Sequence, residues 1–121
     1  MGGCGGFSRG LFETAQDHSL THFLLMDDDI QLHSDSLVRT ASFLGYADAD
    51  TAVGGHMLNL HRPNFVYEAG SIVDHETFTP APLAHNVFAG ASDGLDHFLV
   101  EQEVDYNAWW FFAGPLSLIH I

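Results

Sequence analysis

Asp27, Asp28 and Asp29 are three adjacent carboxylates placed directly after the apolar run Phe23-Leu24-Leu25-Met26. The run reads as a buried strand, so the acids stand at its C-terminal end. Like charges this close repel one another and cannot be buried unpartnered. A divalent cation held by two of them would relieve the repulsion, and ligands of open α/β sheets gather at the carboxyl ends of strands. From the triplet alone two readings stand side by side: a metal site on a nucleotide-type fold, and a solvated acidic turn.

The overall charge bears on that choice. Arg9, Arg39 and Arg62 are the only basic residues apart from histidine, lysine is absent, and the formal net charge is −13. Such a chain lacks the cationic face that grips a nucleic-acid backbone, so nucleic acid is excluded as a partner. An anionic small molecule would be repelled unless a cation intervened. A phosphate-bearing ligand would therefore call for a metal on Asp27 and Asp29. The single cysteine, Cys4, excludes an internal disulfide framework and fits a reducing compartment. At 121 residues and 46% hydrophobic content the chain is globular and amounts to one domain or less. No apolar run approaches the roughly 20 residues of a membrane span, and the glycine-rich start lacks the pattern of a secretory signal.

Placing the acids requires flanking elements. Phe7, Leu11 and Ala15 recur at helical spacing behind the loop Gly2-Gly3-Cys4-Gly5-Gly6. Glycines ahead of a helix let backbone N–H groups approach a phosphate, though a bare loop has the same composition. A strand over His22–Met26 leads to the acids, and Ser34 can cap a helix to about Leu44 with Leu37, Val38 and Ala41 facing inward. Residues 51–53 begin a short strand, and Gly54-Gly55 marks a close backbone approach or bulge. Strand-like pieces at 65–67 and 71–73 flank Gly70. Residues 77–96, with Pro80, Pro82, Gly90 and Gly94, read as a long surface loop. Residues 97–104 fit strand or helix, and 108–113 fit a strand. Trp109 and Trp110 precede Phe111-Phe112, a pattern of core; indoles equally stack on sugar rings. His56, His61, His85 and His97 are isolated and are not assigned as ligands. The order helix, strand, acid, helix, strand argues for an α/β layered fold with a central mixed, partly parallel sheet and flanking helices.

Four motifs occur in order: Gly2-Gly3-Cys4-Gly5-Gly6-Phe7-Ser8-Arg9-Gly10, Leu25-Met26-Asp27-Asp28-Asp29, Val53-Gly54-Gly55-His56-Met57 and Asp105-Tyr106-Asn107-Ala108-Trp109-Trp110. Together they resemble the galactofuranosyltransferases that polymerise mycobacterial-type cell-wall galactan, inverting glycosyltransferases of the GT-A fold. The resemblance runs from Gly2 to about Pro115. It implies a UDP-galactofuranose donor, a Mn or Mg ion and a growing galactan acceptor. It places the metal on Asp27 and Asp29, with Asp28 orienting its neighbours or the donor sugar. Gly3, Gly5 and Gly6 would line the donor side with Arg9 as a charge partner, an Arg9 surface salt bridge being the competing role. Trp109 and Trp110 would form the acceptor side. Asp105 has the chemistry of a general base, but the reading preferred for it is positioning of Asn107 and Trp109.

Departures limit the carry-over. Ser71 stands where the family usually has glutamate, and a tryptophan expected near Pro80 is absent; both belong to the family's acceptor side, so acceptor and linkage are not carried over. The family's enzymes are several times longer, and their catalytic base and a metal-binding histidine lie beyond the tryptophan pair. The chain thus reads as the central part of a GT-A domain over residues 1–115, truncated at both ends, with 116–121 a non-native tail and no catalytic residue of its own. Alone it is expected to be inactive. The resemblance implies a cytoplasmic enzyme, with peripheral membrane association and homo-oligomerisation left to the missing parts. Two other classes fit single features: a haloacid-dehalogenase-type phosphatase using Asp27 and Asp29, and a non-catalytic glycan-binding module using the tryptophans.

Overall fold

The structure, a computed structural model, describes residues 3–88 and 102–119. Their elements are α1 (Gly3–Gln16), β1 (His22–Met26), α2 (Ser34–Leu44), β2 (Val53–Gly54), β3 (Met57–Asn59), β4 (Arg62–Asp74), β5 (Thr79–Phe88), β6 (Phe111–Pro115) and a 3₁₀ turn over Leu116–Leu118. They fall into two compact units, one comprising the described residues up to Val53 with those from Phe111 onward, the other lying within Gly54–Trp110.

In the first unit β1 pairs antiparallel with β6, from His22 opposite Pro115 to Met26 opposite Phe111. The sheet order is β1-β6-β2. Phe23 and Leu25 are buried whereas Leu24 and Met26 are 39% and 42% exposed. β1 is therefore covered on one face, the alternation of an antiparallel strand rather than the continuous burial its apolar run suggested. The expected partly parallel sheet is not what these pairings form. Helix–strand–helix order suggested a crossover, but the neighbour of β1 arrives from residue 111 and runs the other way. Leu116 continues the attachment, its N–H donating to the Thr21 carbonyl at 2.9 Å, and the Ser117 hydroxyl donates to the Ala49 carbonyl at 3.1 Å.

Both helices depart from the expectations. α1 begins at Gly3, so the glycine cluster forms its first turns instead of a loop ahead of it. α2 spans the expected residues, but its N-cap is His33, without a side-chain bond, and Ser34 is already helical. Leu37 and Val38 are 40% and 66% exposed, and Ala41 is exposed too; Leu44 alone is buried. The inward stripe assigned to α2 thus faces outward, because the described residues supply little to cover it.

The second unit is an antiparallel meander, β3-β4-β5. Its core is Val66, Ala69 and Ala84, with Val87 packed against them. The two strand-like pieces around Gly70 are one 13-residue strand, β4. Residues 79–88 of the expected loop are β5, paired from Asp74 opposite Thr79 to Phe65 opposite Phe88. Residues 89–96, and 97–101 of the ambiguous segment with His97, lie outside the described residues; 102–104 have no regular structure. Asp74 closes the hairpin turn by accepting the N–H groups of Glu76 at 2.8 Å and Thr77 at 3.3 Å. Among the described residues no helix is long and apolar enough to cross a membrane.

Candidate functional site

In the first unit β1 delivers the three acids. Met26 is its last residue, Asp27 is half-buried, and Asp28 and Asp29 turn away into solvent. None of the three carboxylates has a hydrogen-bond or ion-pair partner among the described residues. Among the described residues no group of three His, Cys, Asp or Glu side chains converges there in metal-ligating geometry. What Asp27 and Asp29 would offer is a pair of hard carboxylate oxygen donors, the kind that Mg and Mn take, with diphosphate oxygens and water supplying the remainder. That donor chemistry fits the ion.

The expected donor-side residues lie on α1. Gly5 is part-buried, and a Cβ on Gly3 or Gly6 would meet open space, so the helix itself does not require glycine at those two positions. Arg9 is ion-paired with Glu13 one turn on, both side chains largely exposed, and its guanidinium lies 6.0 Å from the Phe12 ring centre. The competing surface role for Arg9 is therefore the one seen. A concavity of 260 Å³ bounded by Thr21, His22, Leu44 and Pro115 opens at the start of β1, the end opposite the acids, and is no part of their site.

The tryptophans belong to the second unit. Both sit in a turn ahead of β6, not within a strand as the apolar run suggested. They divide. Trp110 is half-buried, donates its indole N–H to the Gly55 carbonyl at 2.8 Å and meets Tyr67 edge-on, with ring centres 6.5 Å apart. Tyr67 in turn meets His85 at 5.2 Å. Trp109 keeps 41% of its surface exposed. An indole whose N–H is already committed cannot also donate it to a sugar, so Trp110 has the geometry of an anchor, and Trp109 is the more exposed of the two.

The segment leading to the pair is pinned to β4. β3 pairs no further along β4 than Glu68, and beyond it residues 105–106 take over. The Ser71 N–H donates to the Tyr106 carbonyl at 3.1 Å, and the Ser71 carbonyl accepts from Asp105 at 2.9 Å and Tyr106 at 3.2 Å. The Asp105 carboxylate accepts the Val73 N–H at 2.6 Å. Ser71 itself is 1% exposed, and its hydroxyl donates to Glu68 at 3.4 Å. Two glycines make room for this segment. Gly70 has φ +63°, and a Cβ there would lie 2.8 Å from Val104; a Cβ on Gly54 would lie 2.6 Å from the Asn107 amide nitrogen. The Gly54-Gly55 pair signalled a close approach, but nothing in the sequence named Asn107 as what approaches. Tyr67 was likewise missed as a neighbour of Trp110, as was His85 as a neighbour of Tyr67, a contact that only β4–β5 pairing creates.

Electrostatics mark turns more than sites. Hydrogen bonds from the Ser19 hydroxyl and N–H lower the Asp17 carboxyl, and the Glu76 and Thr77 bonds lower that of Asp74. Desolvation lowers the His56 imidazole, which favours its neutral form.

No model of a known protein family matches the chain. It is 37% identical over 121 residues to galactofuranosyltransferase GlfT2 of Mycobacterium tuberculosis, covering 91% of this chain and 19% of that protein. It is 34% identical over 128 residues to galactofuranosyltransferase GlfT2 of Mycolicibacterium smegmatis, covering 98% and 20% respectively. The resemblance read from the four motifs thus recurs across nearly the whole chain, which spans about a fifth of the length of these curated relatives.

Proposed function

From this sequence kinship with the galactofuranosyltransferases, we propose that the chain is the central part of a glycosyltransferase that moves galactofuranose from UDP-galactofuranose to a growing galactan. The observation that carries the reading is identity of 37% and 34% to two galactofuranosyltransferases across 91% and 98% of the chain. The complete domain would have the GT-A fold and an inverting mechanism.

In this reading Asp27 and Asp29 hold Mn or Mg through their carboxylate oxygens, and Asp28 orients its neighbours or the donor sugar. When bound, the ion supplies positive charge against the negative charge that develops on the departing UDP. Two acids that follow one strand and have no partner among the described residues support the assignment, because a net charge of −13 otherwise disfavours any diphosphate. Trp109 offers an indole face to the C–H-rich face of an acceptor sugar, and Trp110 holds that turn in place. A general base removes the proton of the acceptor hydroxyl.

The test is calorimetric titration of UDP-galactofuranose with and without Mn, followed by transfer assays in a full-length galactofuranosyltransferase context. Mn-dependent binding that D27A and D29A each abolish supports the donor reading. Unchanged metal-dependent affinity in both variants ends it. Trapping of a covalent aspartyl-phosphate would instead point to phosphatase chemistry.

A further inference from the structure

We infer that Asp105 is the positioning residue for acceptor recognition: its carboxylate ties the tryptophan turn to β4 so that Trp109 is presented at a fixed height and angle. The inference rests on the acceptor reading proposed above and goes beyond it, since it assigns the residue that makes the indole face rigid.

Three observations carry it. First, the Asp105 carboxylate, although the residue is exposed, is already engaged: it accepts the backbone N–H of Val73, 32 residues away in sequence, at 2.6 Å. That bond is charge-assisted, the stronger kind. Second, it works beside three backbone bonds between Ser71 and residues 105–106, so the start of the motif is held to the strand like an added rung. Third, only three residues separate Asp105 from Trp109. Across them Asn107 is wedged against Gly54, and the far side of the pair is fixed by the Trp110 bond to Gly55. A turn tied before and behind leaves Trp109 little freedom. Stacking on a sugar then costs less ordering entropy than it would from a mobile loop.

The chain contains only two tryptophans, both in this turn, so tryptophan emission reports on the segment alone. The experiment compares wild type, D105A, D105N and W109A as the full chain, reading emission maximum, acrylamide quenching, far-ultraviolet circular dichroism and the response to a β-linked galactofuranose oligosaccharide. D105A is expected to shift emission to the red, raise quenching and weaken oligosaccharide binding roughly tenfold, the size of one charge-assisted bond. D105N keeps an oxygen that can accept the Val73 N–H and should recover most of the wild-type quenching. Unchanged emission and quenching in D105A overturn the inference. Should D105A lose its sheet signal, D105N decides: quenching near wild type supports the tie, and quenching equal to that of an unfolded chain overturns it. An oligosaccharide response in wild type that survives W109A would defeat the acceptor reading, while the quenching comparison still decides the role of Asp105.

Discussion

The acids after β1 and the tryptophan turn before β6 carry the two sharpest motifs of the chain, and they are built in opposite ways. Asp27, Asp28 and Asp29 leave their strand with no side-chain partner among the described residues. The tryptophan turn is fastened through Ser71, Asp105, Asn107 and the Trp110 indole. A sugar face is recognised by shape, and shape must exist before the ligand arrives. A chelate is recognised by charge, and repelling carboxylates gain order from the ion itself. The difference predicts that substitutions around the turn are felt in stability, and those among the acids chiefly in ligand affinity.

The most severe way to break that contrast is at Gly70. Alanine there must adopt a left-handed conformation and press on Val104 at 2.8 Å. We expect G70A to destabilise the second unit by about 2–5 kcal/mol, the sum of a left-handed penalty and overpacking, measured by urea denaturation followed through tryptophan emission. G54A, which crowds Asn107 without the backbone penalty, should cost about 1–3 kcal/mol in the same assay.

The pair itself sharpens the contrast. W110A removes a half-buried ring and its bond to Gly55, and should cost about 2 kcal/mol of stability, less than the 3–5 of a core aromatic. W109A should leave the melting curve nearly unchanged and weaken acceptor use by about 1–3 kcal/mol, on the scale of aromatic stacking on nucleobases. Equal melting losses in both variants would make the two tryptophans alike and erase the division. Among the acids, D27A and D29A should leave thermal stability within about 0.5 kcal/mol of wild type while abolishing Mn-dependent UDP binding, with D28N milder in calorimetry.

The smallest effect is one of pH. Asp74 has its carboxyl below the ordinary value of 3.8 because the folded turn donates the Glu76 and Thr77 N–H groups to it. A group depressed on folding stabilises above its unfolded value, and the contribution fades as pH falls through the folded one. Protection of the Glu76 and Thr77 amides, taken relative to intrinsic exchange, should therefore hold at neutral pH and be lost only below that ordinary value. Constant protection into stronger acid would remove the turn from this account.

Local signals in the sequence were legible where the cause was local. The apolar run ending at Met26 marked β1 from His22 to Met26, and a helix ending at Leu44 was legible too, although Ser34, expected as its cap, is its first residue and His33 the N-cap. What failed depended on distant partners. α2 was assigned an inward face that little in the described chain covers. The glycine cluster is helical despite its composition, since helix formation there is cooperative with the stretch through Gln16. β5 was hidden by its prolines. Pro80 and Pro82 stand opposite Val73 and Ser71, whose own N–H groups are spent on residues 105–106. Those two positions make no rung toward β4 and ask for no donor from β5. Proline costs little there, but only the pairing reveals it. Of the candidate site, the acids and the tryptophans could be named from sequence; the fastening around Asp105 could not, because it joins positions some thirty residues apart.

Those same two prolines have a consequence for how copies of this chain meet one another. Among the described residues β5 is an outer strand of its sheet, and at residues 80 and 82 the nitrogens that would face a newcomer carry no hydrogen. A strand arriving there finds two missing donors in a row and cannot zip up. β1 is also an outer strand, has no proline from His22 to Met26 and exposes Leu24 and Met26. Chain-to-chain growth at high concentration should therefore start along β1, and a single proline at Leu24 would silence it while β5 needs no such protection.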